Sequence, residues 1–123
     1  MNGIAFVTQP IFLYAEIESY LKNLGAERTK TTYAVQSMLP AGIKVAFSSD
    51  APATAWADPV NPFVGLKSAV TRFAYDGTDL GQDQKVNMET AILLYTKAAQ
   101  EITRIPFIGQ LALGYHADFI VLD

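Results

Sequence analysis

Cysteine is absent from the 123-residue sequence, and histidine occurs once, as His116. The absence of cysteine excludes disulfide bonds, thiolate metal sites and cysteine nucleophiles together. It is compatible with a reducing compartment, and we expect a cytoplasmic protein. Because histidine is so scarce, any metal site that this chain builds alone would have to be rich in carboxylates.

Basic residues are also few and scattered along the chain. Nine Lys and Arg stand against twelve Asp and Glu, which gives a net charge of −3. Phosphate binding needs clustered Lys and Arg, so we expect no nucleic-acid partner. The first residues, MNGIAFVTQP, include no basic segment, and their apolar run is interrupted at Thr8. We therefore predict neither a signal peptide nor a membrane-spanning helix at this end of the chain.

Hydrophobic residues, in contrast, are plentiful. They make up 50% of the sequence, and charged residues make up 17%. This composition is typical of a globular protein, and the length is that of one domain. A glycine-rich phosphate loop and the serine motif of a nucleophile elbow are both missing from the sequence.

The first half of the chain alternates predicted strands and helices. Short apolar runs predict strands over 4–8 and 43–49, and apolar residues at helical spacing predict helices over 14–24 and 32–40 between them. The polar segment AERTKTT is predicted to connect the two helices. A strand, a helical connection and a second strand form a βαβ unit, which favours parallel pairing. Continuous apolar strands further indicate burial on both faces of the sheet, so the sequence predicts an α/β fold.

The second half is predicted to contain two loops, two helices and a final strand. These segments are 51–62 (loop), 62–74 (helix), 75–84 (acidic loop), 88–102 (helix) and 119–123 (strand). Asn61 and Asn87 are the predicted N-caps of the two helices, and Pro62 suits the first helical position. The aspartates of the acidic loop do not follow the twelve-residue calcium-loop pattern, so we expect a solvated loop.

The segment KVAFSSDAP ends a predicted buried strand on a carboxylate, Asp50. Ligands of parallel α/β folds bind at the carboxyl ends of the strands. An aspartate there can hold a metal ion or take a proton from water, and the small Ser48 and Ser49 leave room for a ligand. Asp50 could equally cap a turn or bond the backbone of the following residues. The position and the residue type alone leave both interpretations open.

Other candidate residues have a simpler structural interpretation. His116 lies in a predicted turn near the C-terminus. Asp58 lies in the loop after Asp50, but this loop does not fix the distance or orientation between the two aspartates. We expect Arg72 to be a structural arginine, although it could reach an anionic group of a substrate. Trp56 and Phe63 could line a pocket, but we expect them to pack in the core or against a loop.

Four segments, taken in their order and spacing, resemble the C-terminal part of the amidohydrolase superfamily. They are GIKVAFSSDAPAT, NPFVGLKSAVTR, TAILLYTKAAQEI and GQLALGYHADFIVLD. The branch that includes N-substituted formamide deformylase-like proteins is the most similar. In that branch a Ser-Asp-Ala-Pro segment ends the last barrel strand, and a Gly-x-x-Ala-Asp segment with three apolar residues closes the chain. TQPIFLY is similar to the segment that ends the seventh barrel strand.

This resemblance implies a fold and a chemistry. Members of the superfamily are (β/α)₈ TIM barrels with a small β-sandwich built from both chain ends. They hydrolyse C–N bonds other than peptide bonds and use one or two divalent metals, usually zinc. On this basis residues 1–105 are a partial barrel with its last two strands and their helices, and residues 106–123 are the C-terminal β segment of the small domain. Asp50 matches the aspartate that binds the metal and accepts the proton of the attacking water.

A complete barrel needs about 250 residues, and the family's metal site needs histidines that this chain lacks. We therefore expect a C-terminal fragment of a metal-dependent amidohydrolase that is inactive, and binds no metal, as an isolated chain. Its predicted partner is a second copy of itself or a complementing N-terminal fragment, because two remaining barrel strands have unpaired edges. A small amide-type substrate would bind only to the completed site. The alternatives are a non-catalytic α/β interaction module, one half of a split enzyme, or a small α/β ligand-binding protein.

Overall fold

The computed structural model of the chain describes residues 3–122. Within this range the prediction of an α/β fold is confirmed, with two strands and seven α-helices. In chain order they are β1 (Ala5–Thr8), α1 (Pro10–Ala15), α2 (Ile17–Leu24), α3 (Ala26–Lys30), α4 (Val35–Met38), β2 (Lys44–Phe47), α5 (Pro62–Thr71), α6 (Met88–Tyr95) and α7 (Lys97–Thr103). Short 3₁₀ turns lie at Ala55–Ala57 and Gln82–Gln84. A membrane crossing would need a longer and more apolar helix than any found between residues 3 and 122.

The two strands pair in parallel, as the predicted βαβ unit requires. Ala5 lies opposite Lys44, and Thr8 lies opposite Phe47. The prediction that both strands are buried on both faces is right for most of β2 and wrong for β1, whose first three residues are exposed. Helices α4, α6 and α7 pack against β2, whereas β1 packs chiefly against β2 itself. The sheet therefore has one covered strand and one open strand.

The helix predicted over 14–24 forms as two helices, α1 and α2, which meet at Glu16. The backbone of Glu16 leaves the helical region, with φ −118° and ψ 29°. α1 also starts earlier than predicted, at Pro10, because the fixed φ of proline suits the first helical position. α1 packs on α5 and α2 packs on α3, so the bend at Glu16 lets the two helices meet different neighbours. The polar segment after Gly25, predicted as a connection, forms α3.

The predicted N-caps of α5 and α6 are confirmed. Asn61 accepts a hydrogen bond from the backbone N–H of Phe63 at 3.0 Å. Asn87 accepts one from the N–H of Thr90 at 2.8 Å. Each cap satisfies an N–H group that the first turn of a helix leaves without a partner.

Two predicted helices end earlier than their patterns suggest. The helix predicted over 62–74 stops before Arg72, which adopts a left-handed φ of 51°. The helix predicted over 88–102 is interrupted at Thr96, where φ is −114° and ψ is −90°. The Thr96 hydroxyl donates to the Ile92 carbonyl at 2.8 Å, a side-chain bond that competes with regular helix geometry. The chain then continues as α7.

The core is divided into three clusters of buried residues. The main cluster joins β2, α5 and α6, and its members are Val35, Val45, Phe47, Leu66, Ala69, Val86, Ala91 and Leu94. A second cluster contains Leu13, Ile17, Ala74 and Leu80. The third consists of Ile11, Ala15 and Ala57, and it attaches the loop after β2 to α1. The core thus holds the last residue of β2, Phe47, in the main cluster and holds Ala57, in the loop after β2, in the third cluster.

The strand predicted over 119–123 does not form in the part of it that the structure describes. Residues 105–122 contain neither helix nor strand, and Phe119–Leu122 are exposed; Asp123 lies outside the described residues. A strand needs a neighbour for its N–H and C=O groups, and no strand runs beside this segment within residues 3–122. The apolar sequence alone was therefore a poor predictor of local structure here.

Candidate functional site at the strand ends

Parallel pairing brings the carboxyl ends of β1 and β2 to one edge of the sheet. Gln9 follows β1 directly, and Ser48, Ser49 and Asp50 follow β2. Asp50 is exposed and has a left-handed φ of 52°, a conformation that aspartate tolerates better than most residues. The candidate carboxylate therefore stands at the edge where α/β folds bind ligands.

Ser48 is hydrogen-bonded through each of its polar groups. Its N–H donates to the Thr8 carbonyl at 3.0 Å. Its Oγ accepts from the Nε2 of Gln9 at 2.8 Å. Its carbonyl accepts a longer bond from the Tyr95 hydroxyl, at 3.4 Å. The backbone two residues before Asp50 is consequently held from β1 on one side and from α6 on the other.

Tyr95 reaches the end of β2 through the space between Phe47 and Gly65. Its ring packs edge-on against Phe47, with 5.4 Å between the ring centroids. A Cβ atom at Gly65 in α5 would overlap the Tyr95 hydroxyl, so any larger residue at this point would force α5 or the Tyr95 side chain to shift. Burial raises the pKa of Tyr95 to about 12, and the hydroxyl therefore stays protonated as a donor at neutral pH.

The loop after β2 is closed by local hydrogen bonds. The Ala53 N–H donates to the backbone carbonyl of Asp50 at 2.9 Å. The Ala51 N–H donates to Ser49 Oγ at 3.4 Å. The turn is thus made by the backbone of Asp50, and no other group between residues 3 and 122 forms a hydrogen bond or ion pair with its carboxylate. The Asp50 carboxylate is free to bind a cation or accept a proton.

In the described part of the chain, acidic and histidine side chains form no metal-binding cluster around Asp50. No group of three or more His, Cys, Asp or Glu that could hold a metal ion occurs within residues 3–122. Asp58 is exposed beyond the 3₁₀ turn of the same loop. His116 belongs to the C-terminal segment, where its backbone N–H donates to the Phe107 carbonyl at 2.8 Å. The described residues therefore supply one candidate ligand to the strand ends.

Arg72 is a structural residue, as predicted. Its side chain is only 3% exposed. Its guanidinium donates to the carbonyls of Gly81 at 3.1 Å, Thr32 at 3.1 Å and Lys30 at 3.3 Å, and also to that of Leu80. Burial lowers the pKa of Arg72 to about 10, which still leaves it cationic at neutral pH. The guanidinium is engaged with the backbone and is not available to a substrate.

The acidic loop has the solvated character that its sequence predicted. Asp76 accepts a hydrogen bond from the Thr78 N–H, and Asp79 accepts one from the Gly81 N–H, each at 2.9 Å. These bonds lower the pKa of both carboxyl groups, because they favour the charged form. The two aspartates stabilise turns.

The two aromatic candidates are more exposed than expected. Trp56 is 61% exposed, and its ring meets Tyr75 edge-on at 5.0 Å. Phe63, in the first turn of α5, is also exposed. The prediction was that these side chains pack in the core or against a loop. The core alternative is wrong for both, whereas Trp56 does pack against Tyr75 of the loop after α5.

Two contributors to the strand-end geometry were missed by sequence reasoning. Gln9 precedes Pro10 at the end of the first predicted strand. The rule that ligands bind at the carboxyl ends of parallel strands, which pointed to Asp50, therefore also points to Gln9. Tyr95 offered no such signal, because its contact with Ser48 joins residues that are distant in sequence.

The chain is similar to known proteins over nearly its whole length. The model of the family described as "Amidohydrolase family" matches residues 3–123. YtcJ of Bacillus subtilis (strain 168), a protein named as an amidohydrolase, is 35% identical over an alignment of 124 positions, which covers 98% of this chain and 23% of YtcJ. The N-substituted formamide deformylase of Arthrobacter pascens is 30% identical over an alignment of 124 positions, which covers 98% of this chain and 22% of the deformylase.

Solved structures of two metal-dependent hydrolases, both uncharacterized, show a similar fold. The protein from Pyrococcus furiosus has a TM-score of 0.73 and 28% identity, and the match covers 98% of this chain and 23% of that one. The protein from Pyrococcus horikoshii OT3 has a TM-score of 0.79, 24% identity and coverages of 98% and 24%, and this likeness concerns the fold alone. The chain thus spans less than a quarter of the length of each of these relatives. The resemblance seen in the sequence is confirmed, and the chain belongs to the amidohydrolase family.

Proposed function

We propose that this chain is the C-terminal part of a metal-dependent amidohydrolase that hydrolyses non-peptide C–N bonds. In this proposal β1 and β2 are the last two strands of a (β/α)₈ barrel, and Asp50 is the carboxylate that they contribute to the active site. Residues 1–105 belong to the barrel, and residues 106–123 belong to a small β domain that also needs the other chain end. The isolated chain has no hydrolase activity.

The position of Asp50 carries this proposal. Its carboxylate is exposed at the carboxyl edge of a parallel sheet, and its own backbone, rather than its side chain, closes the following turn. A carboxylate held in this way can bind a divalent cation or accept a proton from water. Membership of the amidohydrolase family gives both roles a chemical context.

The small number of metal ligands explains why this chain needs a second polypeptide to complete the proposed metal site. A catalytic zinc ion takes about three protein ligands besides its water, whereas the described residues bring only Asp50 to the strand ends. By themselves, residues 3–122 do not fit a zinc site. More than three quarters of the length of the relatives has no counterpart here, and we assign the remaining ligands to that missing part.

The open strand β1 supplies the surface for such a partner. β1 packs chiefly on β2, and its first three residues are exposed. A strand with free N–H and C=O groups readily pairs with another strand. The complementing polypeptide would add its own strand beside β1, and its helices would cover the face that is now open.

An amide-type small molecule is the substrate class that fits best. The support comes from one relative, which is named an N-substituted formamide deformylase. N-substituted formamides contain a C–N bond that is not a peptide bond. They are therefore the first substrates to test.

A chimera tests the role of Asp50 in a complete enzyme. This chain would replace the matching 124-residue segment of the Arthrobacter pascens deformylase. We expect the chimera to retain metal and to hydrolyse N-substituted formamides. Asp50→Asn should lower kcat by about 100-fold or more, in the range typical of a lost acid–base group. It should also reduce the metal content measured by mass spectrometry.

Asp83→Asn is the matched control, because Asp83 is an exposed aspartate in the second 3₁₀ turn, outside the strand ends. It should leave both measurements at the level of the unmodified chimera. Equal metal content and activity in the Asp50→Asn chimera would contradict the assigned role. The isolated chain provides a second test, since tight stoichiometric Zn²⁺ binding in native mass spectrometry would show that no completion is needed.

A further inference from the structure

The side chain of Gln9 bridges the ends of the two strands. It leaves the chain one residue after β1, and its Nε2 donates to Ser48 Oγ, one residue after β2, at 2.8 Å. We propose that Gln9 is a positioning residue for Asp50: by holding Ser48, it fixes the turn that presents the Asp50 carboxylate at the sheet edge. This inference rests on the proposed function of Asp50 and adds a residue to it.

The turn needs such support because regular pairing ends just before it. The last hydrogen bond of the ladder joins the Ser48 N–H to the Thr8 carbonyl at 3.0 Å. Beyond that point Asp50 has a left-handed φ of 52°, a region that costs free energy for a residue with a side chain. Two local bonds follow: the 3.4 Å contact between the Ala51 N–H and Ser49 Oγ is weak, and the 2.9 Å bond from the Ala53 N–H to the Asp50 carbonyl closes the turn without tying it to β1. The direction in which the chain enters the turn is therefore set at Ser48.

The backbone at Gln9 and Pro10 is held by hydrogen bonds to α1 and α5. Its carbonyl accepts a hydrogen bond from the Phe12 N–H at 3.1 Å, in the first turn of α1. The carbonyl of the next residue, Pro10, accepts a buried hydrogen bond from Ser68 Oγ in α5 at 2.7 Å. With its backbone fixed on both sides, the Gln9 side chain can impose an orientation on Ser48.

The chemistry of glutamine also suits the neighbourhood of a reactive carboxylate. The amide donates a hydrogen bond and carries no charge, so it neither repels Asp50 nor competes as an ion pair. Tyr95 assists from the other side, but its 3.4 Å contact with the Ser48 carbonyl is too long to be the main restraint.

A second glutamine–serine pair in the same chain provides a matched control. Gln84 Nε2 donates to Ser37 Oγ at 2.8 Å, the same atoms and distance as in the Gln9 pair. Gln84 Oε1 also accepts a hydrogen bond from the Ser37 N–H at 3.2 Å, so the control variant loses one bond more than the Gln9 variant does. This pair joins α4 to the second 3₁₀ turn, which does not belong to the strand ends. Breaking it tests the general loss of a glutamine–serine hydrogen bond without touching the Asp50 turn.

The test measures amide hydrogen exchange by NMR in the 123-residue chain. The reporter is the Ala53 N–H, which donates to the Asp50 carbonyl across the turn. Gln9→Met keeps the side-chain length and removes the donor, and it should raise the exchange rate of Ala53 by about fivefold, the factor typical of one lost hydrogen bond. Gln84→Met should change the Ala53 rate by less than about twofold. Ser48→Ala should reproduce the effect, and Ser48→Thr, which keeps a hydroxyl, should restore most of the protection.

The same variants in the deformylase chimera separate this inference from the proposed function. Gln9→Met should lower kcat while KM and the metal content change little, because it disorders the carboxylate and leaves the other ligands intact. An unchanged Ala53 exchange rate in Gln9→Met, or equal rates in Gln9→Met and Gln84→Met, would overturn the inference. If Ala53 responds as expected but Asp50→Asn leaves the chimera fully active, Gln9 still orders the turn and the catalytic role of Asp50 is wrong.

Discussion

Gly65 in α5 and Tyr95 in α6 touch so closely that a Cβ at position 65 would overlap the tyrosine hydroxyl. Glycine in a helix interior usually costs up to about 1 kcal/mol relative to alanine. The close contact explains why glycine is nevertheless found there. It admits the Tyr95 hydroxyl to the Ser48 carbonyl, and so couples the packing of two helices to the end of β2.

Gly65→Ala should therefore destabilise the chain, although alanine is the better helix former. We expect a loss of about 1–3 kcal/mol in the free energy of unfolding, the usual cost of overpacking. Urea denaturation followed by circular dichroism measures it. In a Tyr95→Phe background the cost should fall, because the atom that meets the new methyl group is gone. A stabilising effect of Gly65→Ala, equal in both backgrounds, would show that the contact is not restrictive.

Tyr95 should also make stability depend on pH in the alkaline range. Burial raises its pKa from 10.0 to about 12 in the folded chain, so the unfolded chain loses this proton first. Between pH 10 and 12 the folded state binds more protons, and the free energy of unfolding should fall as pH rises through this window. Below it, the contribution of Tyr95 should be constant.

Tyr95→Phe should make that alkaline loss of stability shallower. It should not abolish the loss, because burial and the hydrogen bond between the Tyr33 and Tyr20 hydroxyl groups also raise the pKa of Tyr33. Unfolding by urea at a series of pH values gives the slope. An identical slope in wild type and Tyr95→Phe would mean that the Tyr95 hydroxyl is not buried as described.

Arg72 ties the segment after α3 to the loop after α5 through its hydrogen bonds to backbone carbonyls. Arg72→Met would leave one buried and three partly buried carbonyl groups without this donor, and we expect a loss of about 3 kcal/mol or more in the free energy of unfolding. Arg72→Lys should be intermediate, because lysine keeps the charge but not the fork of donors. The exposed Arg28 is the control, and Arg28→Met should stay within about 0.5 kcal/mol of wild type. Urea denaturation measures these changes. Equal denaturation midpoints for Arg72→Met and Arg28→Met would contradict the structural role of Arg72.

Local signals in the sequence predicted the features that depend on a few neighbouring residues. The helix caps Asn61 and Asn87, and the end of α2 at Gly25, follow from the chemistry of single residues and are present in the structure. The parallel βαβ unit follows from the order of apolar runs. The position of Asp50 at the sheet edge could be predicted because it depends only on where β2 ends, while its role stays a prediction.

Features that depend on distant parts of the chain were missed. The bend at Glu16 arises because α1 and α2 pack on different helices, and sequence periodicity does not report this. The exposure of β1 depends on which elements cover it. The bond between Gln9 and Ser48 joins residues 39 positions apart, which no local pattern reveals. The prediction of a final strand failed for the same reason, since a strand is specified by its neighbour as much as by its own sequence.

The open strand β1 leads to a prediction about the isolated chain. Phe6 is 45% exposed and Val7 is 49% exposed, and β1 carries none of the charges or prolines that commonly protect an edge strand. We expect the chain to self-associate at micromolar concentration by pairing of β1 with β1 of a second copy. Sedimentation velocity should show a dimer or larger species for the wild type.

Val7→Lys should shift this equilibrium to the monomer, because each copy would bring a charge to the paired edge. Val60→Lys is the matched control, since Val60 is an exposed valine in the loop after β2. It should associate like the wild type. A monodisperse wild-type monomer would mean that β1 is not an interaction surface. If both lysine variants dissociate equally, the change in net charge, and not the position of the substitution, causes the dissociation. If β1 is the edge at which the missing part of a barrel pairs, the complementing polypeptide should compete with the second copy and convert the homo-oligomer into a mixed complex.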